Sequence, residues 1–281
     1  MIVPGSRSQE LAAALAAETG ADLAAVEFER FPDGESMARV QGAPDEAVVV
    51  ASTTTDAAHV ELLQLQDAVR EAGASEVTTV LPYMGYARQE RAFEAGEPVS
   101  ARAVARAIST GTDRVVTVNP HVELVCDYFD VPAESVDAAP RLAEPLADDL
   151  TDPIFLSPDE GAVDLATSVR DAYGRGAVDF FEKTRLSGDE VEIQPSDAAV
   201  AGRDVVVTDD IVATGSTMSE SIAVLRDREA AGVHVACVHP LLATNARSKL
   251  ARAGVEAIYG TDTIERAVSA VSVAPVVADV L

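Results

Sequence analysis

Val205-Val206-Val207-Thr208-Asp209-Asp210-Ile211-Val212-Ala213-Thr214-Gly215-Ser216-Thr217 decides the fold. A β-branched run stops at two adjacent carboxylates, crosses a small turn of hydroxyls and glycine, and enters a helical pattern. Such a strand–loop–helix gathers backbone N–H groups and hydroxyls around an anion, at the positive end of the helix dipole. Gly215 allows close backbone approach, and Thr214, Ser216 and Thr217 can donate to phosphate oxygens. Met218, Ile222 and Leu225 recur at i, i+4, i+7 and give the following helix one apolar face. Asp209 and Asp210 stand too near an anion cradle to bind the anion; they suit sugar hydroxyls, or a metal ion, beside it. The plain alternative is a turn and helix cap, since Ser and Thr are ordinary caps. Two consecutive acids ahead of Thr-Gly-Ser-Thr speak against that alone.

Outward from this stretch, short β-branched runs alternate with helical patterns. Strands are predicted at 46–52, 77–82, 114–118, 153–157, 203–208, 233–238 and 255–259. Helices are predicted at 8–18, 58–71, 100–109, 160–172 and 217–231. Alternation at these lengths argues for an α/β fold with parallel sheets flanked by helices. An internal duplication argues for two such units. Val48-Val49-Val50-Ala51-Ser52-Thr53-Thr54-Thr55 leads through a helix to Ala72-Gly73 and a strand ending at Pro82. Val205–Thr208 leads through a helix to Ala231-Gly232 and a strand ending at Pro240. The first copy has hydroxyls but no acid pair, and reads as a degenerate site that is structural or at most accessory. The Pro- and acid-rich 132–153 is read as the crossover between units, and 182–198 as an irregular or mobile loop or hairpin.

Composition narrows the partners. The chain has 281 residues, enough for one large or two medium domains, and a formal net charge of −26 from 47 acids and 21 bases. A field this negative repels nucleic acid and anionic membranes. It fits a salt-rich cytosol, where screening over a few Å relieves the self-repulsion. Only Lys183 and Lys249 are lysines; the other 19 bases are arginines. Cys126 and Cys237 lie far apart without metal-like spacing and read as small core residues. There is no leader pattern and no apolar run of about 18 residues, so a cytoplasmic chain without a membrane span is expected.

The order of residues at 205–217 resembles the phosphoribosyl-pyrophosphate loop shared by type I phosphoribosyltransferases and phosphoribosyl pyrophosphate synthetases. That resemblance implies that Asp209 and Asp210 hold ribose hydroxyls and that Ala213, Thr214, Gly215, Ser216 and Thr217 hold the 5-phosphate. The family loop often carries an acid where this chain has Ala213. Further segments resemble the synthetases alone. Phe31-Pro32-Asp33-Gly34-Glu35 is similar to their adenine-binding segment, implying ATP contacts from Phe31, Asp33, Gly34 and Glu35. Tyr83-Met84-Gly85-Tyr86-Ala87-Arg88-Gln89-Glu90-Arg91 resembles their second ATP segment, with Arg88 and Gln89 reaching phosphates and base. Asn119-Pro120-His121 and Leu156-Ser157-Pro158-Asp159-Glu160-Gly161-Ala162 resemble segments whose histidine and aspartate serve a cation, here His121 and Asp159. Glu182-Lys183-Thr184-Arg185 stands where the family has its Lys-x-Arg catalytic pair, so Lys183 and Arg185 take that role. A lysine here is conspicuous in a chain that otherwise avoids them. Gly260-Thr261-Asp262-Thr263-Ile264 through Ser272-Val273-Ala274-Pro275 resembles the family's C-terminal end. Most segments also have ordinary explanations: Phe-Pro-Asp-Gly-Glu is a good β-turn, and His121, Arg88 and Arg91 could be surface residues. What carries weight is their colinear order over nearly the whole chain.

The resemblance is to the ribose-phosphate diphosphokinases of the archaeal halophilic type. It implies two phosphoribosyltransferase-like domains, 1–142 and 143–267, with 268–281 packing on the first. It further implies Mg²⁺, the substrates ATP and ribose 5-phosphate, a dimer-based homo-oligomer, and Phe31–Glu35 reaching a neighbour's site. The alternatives are a phosphoribosyltransferase or a silent partner subunit. Two nucleotide segments speak against the first, and the retained Lys183, Arg185, His121, Asp159 and acid pair against the second.

Overall fold

The structure, a computed structural model, describes the backbone of residues 1–187, 190–195 and 199–281, and side chains outside 182–198. The chain divides into two compact units: Met1–Asp137 with Asp262–Glu265 and Ser272–Leu281, and Ala138–Thr261 with Arg266–Val271. No helix among the described residues is long and apolar enough to cross a membrane.

The first unit contains β1 (Ile2–Pro4), α1 (Gln9–Thr19), β2 (Val26–Arg30), β3 (Ser36–Val40), β4 (Glu46–Val50), α2 (Asp56–Glu71), β5 (Glu76–Leu81), α3 (Ser100–Ser109), β6 (Arg114–Val118) and β7 (Ala133–Val136). Strands β1, β4, β5, β6 and β7 form one parallel sheet in the order β1-β4-β5-β6-β7. The β-branched runs become strands because both sheet faces are covered: Val49, Val77 and Val115 are fully buried on neighbouring strands. Each such burial is worth about 1.5–3 kcal/mol over an exposed side chain. Strands β2 and β3 pair as a separate antiparallel hairpin. It is tied to α2 by Gln64, whose amide donates to Ser36 O at 2.7 Å and accepts from Ala38 N at 3.2 Å.

The second unit contains β8 (Ile154–Ser157), α4 (Val163–Tyr173), β9 (Ala177–Ser187), β10 (Glu190–Pro195), β11 (Asp204–Ile211), α5 (Ser216–Asp227), β12 (Gly232–His239), α6 (Ala246–Ala253), β13 (Ala257–Thr261) and β14 (Ser269–Val271). Its seven strands run in the order β10-β9-β8-β11-β12-β13-β14, parallel except for the edge strand β10. The core joins Ile154, Leu156, Val205, Val207, Val233 and Val235 to Met218, Ile222 and Leu225 of α5, the face read from the helical spacing.

The last helix, α7 (Ala274–Ala278), packs on α1 in the first unit. Helix α1 has no side-chain cap of its own at Ser8. Its free amides are met from far along the chain: Glu265 Oε1 accepts from Glu10 N at 2.7 Å and Leu11 N at 3.1 Å.

Several predicted boundaries move. The helix expected to 231 stops at Asp227, because Arg228 leaves helical geometry and Glu229 takes φ 61°. Arg226 then turns back to Gly254 O and Ala231 O. The helix expected from 160 opens with a 3₁₀ turn, Glu160–Ala162. The segment 132–153, read as a crossover, begins with β7. Nothing in Ala133-Glu134-Ser135-Val136 resembles a β-branched run; pairing with β6 and the Arg114–Glu134 ion pair hold it. The span read as loop or hairpin supplies the antiparallel pair β9–β10.

Both duplicated segments form parallel βαβ units, β4-α2-β5 and β11-α5-β12, but their turns differ. In the first, Thr55 caps α2 by accepting from Ala58 N at 3.2 Å. The turn is then filled by the chain: Thr53 N donates to Tyr83 O, and Gly85 N to Thr53 Oγ1, both at 2.9 Å. A Cβ on Gly85 would stand 2.2 Å from Thr53 O. This turn is thus occupied in part by its own chain.

Candidate active site

Strand order brings the carboxyl ends of β8, β11 and β12 side by side, the edge where open α/β sheets place ligands. Asp159 follows β8, and Asp209 and Asp210 close β11. Asp210 N donates to Asp209 Oδ1 at 2.9 Å, and Ile211 N to Asp210 Oδ1 at 2.8 Å. Burial raises the Asp209 pKa well above the usual carboxylate value, and the Asp210 charge and side chain push it further, with a smaller push from Asp159. Cys237 lies opposite Asp209 on β12. Burial above all, with the Asp209 charge second, pushes its thiol far up, so it stays neutral. Three carboxyl groups are thus gathered at this edge, which suits hydroxyl donors or a cation.

The loop beyond the acids is held from the side. Leu242 N donates to Val212 O at 2.8 Å and Ala243 N to Ala213 O at 2.9 Å. Gly215 is the N-cap of α5 with φ 70°, and a Cβ there would lie 3.3 Å from Ala246 Cβ. Left-handed backbone and close approach both call for glycine. No side chain caps α5, in contrast to Thr55 on α2. Thr214, Ser216 and Thr217 are exposed at its mouth, so the plain explanation of these hydroxyls as caps does not hold. The first amides of a 12-residue helix therefore lack a side-chain acceptor, the arrangement an anion completes.

One residue escaped the motif reading. Lys249, on α6, places Nζ 3.0 Å from Ser216 Oγ. It sits 32 residues beyond the end of the quoted stretch at Thr217, and only the scarcity of lysine pointed toward it.

In the first unit, Arg88 and Gln89 follow β5, and His121 follows β6, on one edge of the parallel sheet. Arg88 is exposed. Gln89 is anchored at α3: its side-chain oxygen accepts from Ser100 Oγ, and its carbonyl accepts from Ala101 N at 3.2 Å. His121 is exposed next to Asn119, which takes φ 35° and bonds Asp137 Oδ1 at 2.7 Å. Phe31, Asp33, Gly34 and Glu35 form the tight turn of the β2–β3 hairpin. Phe31 N bonds Glu35 O at 2.8 Å, Glu35 N bonds Asp33 Oδ1 at 3.1 Å, and Gly34 takes φ 96°. Lys183 and Arg185 lie on β9, in register with Ile193 and Val191 of β10; their side chains fall outside the described residues. Among the described residues no three His, Cys, Asp or Glu side chains form a metal-holding group.

The charge at Asp209 has a stability consequence. Its folded pKa exceeds the unfolded value near 3.8. Ionisation therefore costs folding free energy in full above the folded pKa, and the cost fades as pH falls toward 3.8. Asp209→Asn keeps the acceptor for Asp210 N and removes the charge. Its melting temperature at pH 7 is expected to exceed that of the parent chain, and the gap should close on acidification. Equal melting temperatures at pH 7 would show that the charge is already compensated.

Comparison with known proteins completes the description. Residues 1–111 match the N-terminal domain of ribose phosphate pyrophosphokinase, and 131–274 match the phosphoribosyl transferase domain. A ribose-phosphate pyrophosphokinase of Halobacterium salinarum is 68% identical, with 100% of both chains covered. One from Methanosarcina mazei is 47% identical over 100% of this chain and 94% of its own. The crystal structure of phosphoribosylpyrophosphate synthetase from Mycobacterium smegmatis superposes with a TM-score of 0.84 at 28% identity, covering 100% of this chain and 96% of that one. Two parallel-sheet units, the paired acids before an uncapped helix, and end-to-end identity of this order together establish that the chain belongs to the ribose-phosphate pyrophosphokinase family.

Proposed function

We propose that this chain transfers the β,γ-diphosphoryl group of ATP to O1 of ribose 5-phosphate, giving phosphoribosyl pyrophosphate and AMP. The observation that carries it is the uncapped N-terminus of α5 directly beyond Asp209 and Asp210, in a chain similar from end to end to ribose-phosphate pyrophosphokinases. O1 attacks the β-phosphorus, AMP leaves, and the demands on the protein are positioning and charge neutralisation.

Asp209 and Asp210 accept from the ribose 2- and 3-hydroxyls, which relieves the charge crowded between them. Ala213–Thr217 bind the 5-phosphate through amides and hydroxyls. Ala213 carries no side-chain charge, so that position adds no repulsion toward the phosphate. Phe31 stacks on adenine with Asp33, Gly34 and Glu35 beside it, and Arg88 and Gln89 take ATP's phosphates and base. Lys183 and Arg185 neutralise charge on the β-phosphoryl group as the bond to AMP breaks.

Asp159 offers the hard oxygen donor that Mg²⁺ prefers, near enough to the buried Asp209 for its charge to be felt there, and His121 assists. Phosphate oxygens and water would supply the remaining ligands, in keeping with the lack of a three-residue metal group among the described residues. Bound Mg²⁺ screens the triphosphate. The working form is taken to be a dimer-based cytoplasmic homo-oligomer, which the molar mass in solution tests.

The deciding experiment supplies purified protein with ATP, Mg²⁺ and ribose 5-phosphate. AMP and phosphoribosyl pyrophosphate should appear in equal amounts; neither appearing would sink the proposal. Asp210→Asn is expected to raise the KM for ribose 5-phosphate about 10-fold or more, the size of a lost hydrogen bond to a charged group, with the KM for ATP little changed. Weakened ATP use with normal sugar use would instead put this pair in the nucleotide site.

A further inference from the structure

Ser216, the first residue of α5, sits in an unusual hydrogen-bond environment. Lys249 Nζ lies 3.0 Å from its Oγ, and Thr214 Oγ1 donates to the same oxygen at 3.4 Å. A serine hydroxyl has two lone pairs and one hydrogen. The ammonium can only donate, so with Thr214 donating as well both lone pairs are taken. The Ser216 hydrogen is then left to an acceptor outside this trio. Lys249 thereby turns a two-way hydroxyl into a one-way donor.

The ammonium itself is in an unexpected situation. The chain has 47 acids against 21 bases, and many of its arginines sit on carboxylates, Arg39 on Glu27 and Arg203 on Asp152 among them. Lys249 has no ion pair among the described residues; its partner is a neutral hydroxyl at the rim of the α5 loop. The backbone holds it there. Helix α6 is seated against the loop through Ala246, which touches the Gly215 position, and through the bond of Ala243 N to Ala213 O. A cation kept from carboxylates in so acidic a chain, beside a helix start that no side chain caps, is placed for an external dianion.

We propose that Lys249 is a binding residue for the 5-phosphate of ribose 5-phosphate, pairing with the dianion and orienting the Ser216 hydroxyl toward it. This rests on the function proposed above. A compact ammonium suits the role, since it can follow a phosphate oxygen without imposing the planar fork of arginine. The phosphate does not change charge during transfer at O1. Lys249 therefore contributes to ground state and transition state alike, and its loss is expected in KM rather than kcat.

The test compares the parent chain with Lys249→Met, which keeps the stem, and Lys249→Arg, which keeps the charge. Steady-state kinetics are run for each substrate, and ribose 5-phosphate binding is followed by calorimetry without ATP. Lys249→Met should raise the sugar KM and dissociation constant about 10-fold, leave kcat and the ATP KM within about 2-fold, and leave the melting temperature unchanged. Lys249→Arg should recover part of the loss. Ser216→Ala combined with Lys249→Met should cost less than the two single losses multiplied together, because the residues act as a unit. Unchanged sugar affinity in Lys249→Met, or equal losses for ATP and sugar, overturns the inference while the parent chain still makes product. A parent chain that makes no phosphoribosyl pyrophosphate overturns the proposed function instead.

Discussion

Lys183→Ala is expected to lower kcat by about 100-fold or more, the scale on which removal of one preorganised charge acts, while ATP binding stays nearly intact. Charge builds on the transferring diphosphoryl group and the departing AMP oxygen only as the reaction proceeds. An ammonium aimed at that charge lowers the barrier without tightening the ground-state complex, so kcat and kcat/KM fall together. The residue stands on β9, which runs beside β8 and then pairs with the edge strand β10. It is one of two lysines in a chain with 19 arginines. Arginine would spread the charge over a planar fork, whereas a lysine tip offers a mobile point charge. Single-turnover and equilibrium nucleotide-binding measurements separate the two contributions. Turnover within a few-fold of the parent chain would remove Lys183 from the chemistry.

The second large effect is set by salt. A net charge of −26 makes the compact state self-repelling in dilute buffer. At 0.01 M salt the Debye length is roughly 30 Å, so charges across the fold feel one another; at 1 M it is roughly 3 Å. Surface ion pairs give little relief: Arg39–Glu27 spans 3.4 Å between two exposed side chains, a pair worth at most about 1 kcal/mol. Melting temperature and specific activity are therefore expected to rise together as KCl goes from 0.01 M to molar levels. Repulsion between acidic copies in an oligomer would be relieved over the same range. Full activity in dilute buffer with an unchanged melting temperature would identify an acidic protein that merely tolerates salt.

Much of the fold was legible because its strands are buried on both faces. Val48–Val50, Val115–Val116 and Val205–Val207 have no reason to be so uniformly β-branched except to fill a covered sheet, and each became a strand. Helix α5 was legible from the Met218, Ile222 and Leu225 face. Edges were not. Strands β2, β3 and β7 mix Glu, Arg and Ser with apolar residues, and are held by hairpin pairing, by Gln64 and by Arg114, which local composition does not reveal. At the site, the acid pair and glycine turn were visible since their chemistry is contiguous. The difference between the two duplicated turns was not. Self-capping by Thr55 and filling by Tyr83–Gly85 depend on a neighbouring loop, and the absence of a cap on α5 shows only in three dimensions. Lys249 stayed hidden for the same reason: its role depends on α6 packing against the loop, at a sequence distance no motif spans.

Glu265 has a bearing on how the protein is born. The oxygen that caps α1 comes from a residue 255 positions after Glu10, and Ser52 Oγ donates to Thr263 O, 211 positions later. Translation delivers everything in the second unit except residues 266–271 before Glu265 is even joined to the chain. The N-terminal part of a nascent protein usually settles first, but here the first unit is completed by residues made near the end of the chain. Until then α1 lacks its Glu265 cap and the place of α7 is unfilled, and the later sheet still lacks β14. A fragment cut after Asp137 would lack both the Glu265 cap and α7, and is expected to melt below the whole chain.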